Sequence, residues 1–286
     1  MVKRRPTRLL PVGMALVVLI ATSIAGSIAA VQWTGPPPAA EPSFAAARAR
    51  HRLVVAVAGR PAPRIPIGRF DPHARVPDMA SADLATDLGR RLALPVEMIA
   101  VSPAVAQQAL RDGTADVAID NLPFAPDSSL GYATPSYSSG RGGVLVLRRG
   151  GVQRWGDLVG KAVCVVEGSP YASRVPAGAQ PIAFAAQTEA LTAFERGACA
   201  AVVDDEATLT AVLKLPTWRY YALLPGSLEP VPTFVAIAGH DPATLAWLDD
   251  TVRAWRHDGT LDRSRKKVAD LVDFDMATAQ SDINCH

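Results

Sequence analysis

The residues best placed for chemistry lie where predicted strands end. Four stretches carry them: Ala58-Gly59, Asp120-Asn121, Glu167-Gly168-Ser169 and Asp204-Asp205. Each closes an apolar run that reads as a buried strand: Leu53 to Ala58, Asp116 to Asp120, Lys161 to Val166 and Cys199 to Asp204. In open α/β sheets, ligands sit beyond the carboxyl ends of the strands. Asp205 offers a carboxylate to an ammonium group, or caps the helix that begins at Glu206. Asp120 offers a second carboxylate, or caps a turn. Gly168-Ser169-Pro170 presents the free backbone N–H groups of a helix start to an anion, or is a strand-to-helix turn with proline at its first helical position.

Enzyme motifs are mostly absent. Gly156 to Lys161 (GDLVGK) approaches a phosphate loop but is one residue short, is followed by Ala162 and precedes its strand. The five histidines fall mainly in linkers and at helix ends, and no HExxH or GxSxG occurs. No cofactor or metal site is expected.

The elements that would hold these residues repeat. The order from Leu53 to Asp120 is β-α-β-α-β. It includes a helix capped at Ser81 and stopped before Pro95, a strand over Val96 to Val101 and a helix over Pro103 to Arg111. After a strand over Gly142 to Leu147 the alternation returns. Strands over Lys161 to Val166, Pro181 to Phe184 and Cys199 to Asp204 are separated by a short helix at Gly168-Ser169-Pro170 and a helix over Gln187 to Arg196, and a helix over Glu206 to Lys214 follows. Two similar lobes with open, mostly parallel sheets are expected.

Composition narrows the partners. The chain has 286 residues, a net charge of +2, 49% hydrophobic and 6% aromatic residues, so nucleic acid and a base-stacking surface are disfavoured. Lys3, Arg4, Arg5 and Arg8 precede an uncharged stretch from Leu9 to Trp33. Residues 1–34 therefore read as a signal peptide or a signal anchor, with the remainder extracytoplasmic. Residues 35–50 form a Pro/Ala-rich linker, and the folded part starts near His51.

From about His51 to Leu271 the chain resembles the bacterial extracellular solute-binding proteins of family 3, the polar amino-acid receptors of ABC importers. The matching stretches include LVVAVA at Leu53, DGTADVA at Asp112, ATPSY at Ala133, WGDLVGK at Trp155, VEGS at Val166, AVVDD at Ala201 and GSLE at Gly226. The resemblance implies a type II periplasmic-binding-protein-like clamp of class α/β, its lobes joined by two crossing strands near Val144 to Arg148 and Val231 to Ala236. Residues 51–148 plus 232–275 would form lobe 1, residues 149–231 lobe 2 and residues 276–286 a tail. It also implies a monomer that takes a small polar solute in the cleft, closes by hinge motion and meets ABC permease subunits.

The departures from that pattern matter. The arginine that grips a ligand carboxylate in the family is missing around Asp127-Ser128-Ser129, and Pro123, Asn121 and Ala58 replace the polar residues or glycine expected nearby. Arg141 and Arg60 are the candidate substitutes. Asp205, Gly168, Ser169, Asp120, Asn121, Tyr137 and Arg141 are the candidate ligand-binding residues, with Tyr137 lining the cleft or packing at the hinge. Asp120, Asp204 and Asp205 together favour an amine-bearing solute. A sensory or degenerate binding protein acting through a partner is the alternative. Third is a cyclohexadienyl-dehydratase-like enzyme with Glu167 as its acid. The topology makes the strands of Cys164 and Cys199 neighbours, which allows a disulfide or two buried thiols, and Cys285 is left over.

Overall fold

The computed structural model describes residues 42–61, 74–125, 129–138 and 140–283. The N-terminal segment, Asp127, Ser128 and Cys285 lie outside the described residues. Two sheets organise the rest.

The first sheet orders its strands β2-β1-β4-β11-β5, with β3 also paired to β1. Its strands are β1 (Leu53–Pro61), β2 (Arg75–Pro77), β3 (Val96–Val101), β4 (Val117–Ile119), β5 (Leu130–Tyr132) and β11 (Ala236–Ala238). β1 lies parallel to β3 and β4, whereas β11 runs antiparallel to β4 and β5. Both faces of β1 are covered. Leu53, Val55 and Val57 enter one core, and Val54 and Ala56 enter another, so its sequence is continuously apolar instead of alternating. Helix α1 (Ala45–Ala49), α2 (Met79–Leu92), α3 (Pro103–Arg111) and α6 (Pro242–His257) belong to this lobe. The cap of α2 differs from the expected Ser81. Asp78 holds that place and accepts from the N–H of Ser81 at 3.1 Å.

The second sheet orders β10-β6-β9-β7-β8. These are β6 (Gly142–Leu147), β7 (Ala162–Val166), β8 (Gln180–Phe184), β9 (Ala201–Asp205) and β10 (Tyr221–Leu223), with α4 (Gln187–Glu195) and α5 (Glu206–Val212). β7 is parallel to β8 and β9, and β6 is antiparallel to β9 and β10. Both sheets are thus mixed: β11 and β6, which follow the crossings, run antiparallel to β4 and β9, and β2 runs antiparallel to β1 within the first lobe. Cys164 and Cys199 form a disulfide in this core.

The chain crosses between lobes twice. Ser138 bridges Thr233 and Gly142 bridges Leu228. The first crossing therefore precedes Val144 to Arg148, where Val144 to Leu147 are already paired in the second sheet. The C-terminal helix α7 (Thr260–Ile283) runs well past residue 275, where the sequence suggested a tail. It packs on α2 and α6 of the first lobe and on α4 and α5 of the second. Among the described residues, no helix is long and apolar enough to cross a membrane.

Candidate functional site

A cavity of about 520 Å³ lies where the two lobes and α7 meet. Asp120, Asn121, Gly168, Ser169 and Asp205 line it, as do Ala58, Arg60, Glu167 and Asp204. The strand-end rule therefore finds its walls from both lobes. Tyr137 and Arg141 are not among the lining residues.

Asp120 forms the first-lobe floor. It follows β4 and is only 2% exposed, and its Oδ2 has no hydrogen-bond partner among the described residues. Burial raises its pKa to about 8; nearby Arg75 opposes that rise and Asp78 adds to it. A carboxyl held this way takes a proton or a solute cation to relieve the buried charge. Asn121 turns the chain sharply after it, with a φ of 49° in the left-handed region that asparagine tolerates. Its N–H donates to the Tyr137 hydroxyl at 2.8 Å. Tyr137 packs against the first-lobe core, so it supports the turn under Asn121 and does not line the cavity.

The second-lobe wall begins at Gly168, whose φ of +75° suits glycine. Ser169 caps a 3-10 helix over Pro170–Arg174, its Oγ accepting from the N–H of Tyr171 at 3.3 Å. Asp204 is 4% exposed, and burial raises its pKa to about 7 while the N–H of Asp205, donating to its Oδ1 at 2.8 Å, pulls the other way. Asp205 is committed at both oxygens. Oδ1 accepts from the N–H groups of Ala207 and Thr208 as the α5 cap, and Oδ2 accepts from Arg265 Nη2 at 3.0 Å. The capping alternative weighed from the sequence is realised, and a side chain of α7 takes the other oxygen.

The candidate arginines divide. Arg60 lines the cavity, and its Nε is buried with no partner among the described residues. Arg141 is exposed on a separate hollow with Glu206, Lys214 and Asp262, because its carbonyl accepts from the N–H of Glu206 and fixes that stretch of backbone beside α5. Two cavity arginines escaped sequence reasoning. Arg75 sits after an irregular proline-rich stretch that offers no periodicity, and it reaches Gly59 O at 3.1 Å and Glu167 Oε2 at 3.2 Å. Arg265 lies on α7, where Leu261, Val268, Leu271, Val272 and Met276 recur at helical spacing; that pattern would have revealed a further amphipathic helix. No group of histidines, cysteines and carboxylates suited to a metal occurs among the described residues.

No protein-family model and no curated protein matches the sequence. Solved structures do match it. An amino acid ABC transporter substrate-binding protein, AbpA from Streptococcus pneumoniae, bound to L-arginine, is 19% identical at a TM-score of 0.60, over 80% of this chain and 98% of that one. A mutant of ArgBP from T. maritima is 22% identical at 0.59, over 79% and 98%. A solute receptor for L-cysteine of Neisseria gonorrhoeae is 20% identical at 0.57, over 78% and 92%. At these identities the likeness is one of fold. The chain has the two-sheet, type II periplasmic-binding-protein architecture of such substrate-binding proteins.

Proposed function

We propose that this chain is an extracytoplasmic solute-binding protein that captures a small polar, amine-bearing solute by closing its lobes and hands it to an ABC permease. The observation that carries the reading is Asp120, a buried carboxylate with an unpartnered oxygen on the wall of a cavity between two lobes. Asp78, Glu167, Asp204, Asp205 and Asp275 line the same cavity, against three arginines, Arg60, Arg75 and Arg265. That excess of carboxylates favours a cationic group on the solute. Arg60, with Nε unengaged among the described residues, is the cavity's candidate for any solute carboxylate. Residues 1–34 would export the chain or hold it at the membrane, and residues 35–50 would space the folded body from that surface. The fold neighbours named above include an amino acid ABC transporter substrate-binding protein and a solute receptor for L-cysteine, which supports the same class.

A thermal-shift screen of the purified full chain over amino acids, polyamines, betaines, opines and short peptides tests the reading, with Asp120→Asn as control. One amine-bearing class should raise Tm in the wild type and fail to do so in the variant. Saturation at 100 times Kd corresponds to about 2.7 kcal/mol of added stability. The reading is wrong if glutamate or glutamine does as well as every cation, or if nothing in the screen shifts the protein. The enzyme reading draws less support, because Glu167, its acid, is paired with Arg75.

A further inference from the structure

Helix α7 carries a guanidinium onto a carboxylate of the cleft. Arg265 Nη2 lies 3.0 Å from Asp205 Oδ2. The crossing strand makes room for it: a methyl group on Gly140 would stand 2.4 Å from Nη2 and 2.7 Å from Cζ of that arginine. Tyr171 completes the surround, its hydroxyl donating to Gly140 O at 2.7 Å and lying 3.4 Å from Asp205 Oδ2. Three separate parts of the chain thus converge on one cation. They are the end of β9, the inter-lobe crossing and the 3-10 helix after Gly168.

The helix that delivers this cation is fastened at both lobes. Lys267 Nζ meets Asp83 Oδ2 of α2 at 2.6 Å. Val272 and Met276 are buried in the second-lobe core with the disulfide.

We infer that Asp205, Tyr171 and Gly140 form a guanidinium-binding socket that Arg265 fills from within the chain. A cationic solute group reaches Asp205 only when Arg265 leaves it, so α7 competes with the solute for this side of the cleft. The competition rests on the amine-binding reading above; the socket itself does not.

Chemical rescue tests the socket without knowledge of the natural solute. In the full chain, Arg265→Ala empties it, and millimolar methylguanidinium is then titrated against Tm, with methylammonium and sodium chloride at equal ionic strength. Methylguanidinium should recover most of the Tm lost by the variant, more than methylammonium does, and should leave the wild type and the Arg265→Ala/Asp205→Asn chain unchanged. Equal responses in all three chains would overturn the inference. If Arg265→Ala shows no cooperative transition, Asp205→Asn serves instead, since asparagine keeps the helix cap and removes only the charge. Its α7 amides around Arg265 should then exchange hydrogen faster than in the wild type, and unchanged exchange overturns the inference. Rescue in a chain that no amine solute stabilises would retain the socket and reject the solute reading.

Discussion

Arg75 of the first lobe and Glu167 of the second meet across the cavity, Nη2 to Oε2, at 3.2 Å. Glu167 is about half exposed, so the pair is worth on the order of 0.2–1 kcal/mol. Its larger effect is on a neighbour. Arg75 is the main influence holding the Asp120 pKa down against burial. Arg75→Gln should therefore push the Asp120 carboxyl still higher, as read by carboxyl-carbon NMR titration, while the Arg75/Glu167 double-mutant cycle in urea gives a coupling below about 1 kcal/mol. A coupling above twice that, or an unmoved Asp120, would contradict the assignment.

Stability should fall as pH rises from about 4 to 8. Asp120 and Asp204 titrate near 8 and 7 in the folded chain against an ordinary value of 3.8. Over that window the folded state binds more protons than the unfolded state, so the stability is present below pH 4 and lost as pH climbs through the folded values. Each group contributes a slope of at most about 1.4 kcal/mol per pH unit. Asp120→Asn should flatten the profile between pH 4 and 8 in urea unfolding. An unchanged slope in that variant would show that Asp120 ionises normally.

The affinity for an amine-bearing solute should run the other way. A cation needs the ionised form of Asp120, which is the minority species below about pH 8. Binding should strengthen by up to about tenfold per pH unit between pH 6 and 8, and calorimetry should record proton release that depends on the buffer. In Asp120→Asn the affinity should be weaker and level over the same range. A level profile in the wild type would place the solute's charge elsewhere.

The sequence made the two-lobe order legible where burial is two-sided. Leu53 to Val57 and Val144 to Val146 feed a core on each face of their sheets, and such runs read as strands with no knowledge of the partner. Their ends then located Asp120, Gly168 and Asp205 beside the cavity. What stayed hidden depends on contacts distant in the chain. The burial of Asp120 depends on elements packed around it from outside its own strand. The pairing of Arg265 with Asp205 spans 60 positions, and no local pattern reports it. Arg141 looked equivalent to Arg60 as a free cation near a strand, and only the backbone course beside α5 separates the two.

Gly140→Ala should release α7 without unfolding the protein. The new methyl group would meet the far end of the Arg265 side chain, which can swing aside, and would stand 2.9 Å from Asp205 Oδ2, so the stability cost is that of one partly exposed ion pair, about 0–1 kcal/mol, plus a small shift of that carboxylate. The local effect should be larger, with α7 amides exchanging faster around Arg265. Methylguanidinium should give no rescue in Gly140→Ala/Arg265→Ala, because the methyl group occupies its place against the crossing strand. Wild-type exchange in Gly140→Ala would mean that the arginine fits beside a side chain after all.

Loss of the disulfide should loosen the second lobe and leave the first intact. Cys164 and Cys199 close a loop of 35 positions, for which chain entropy gives roughly 3–4 kcal/mol. Both residues lie in the core that also receives Val272 and Met276 of α7. Loosening that core should weaken the seat of α7 along with β7 and α4. In the Cys164→Ala/Cys199→Ala chain, hydrogen exchange should therefore accelerate in the second lobe and in the C-terminal half of α7, while β1 and β3 of the first lobe keep wild-type protection. Uniform acceleration through both lobes would show that they unfold as one unit, and the seat of α7 would then have no separate stability to lose.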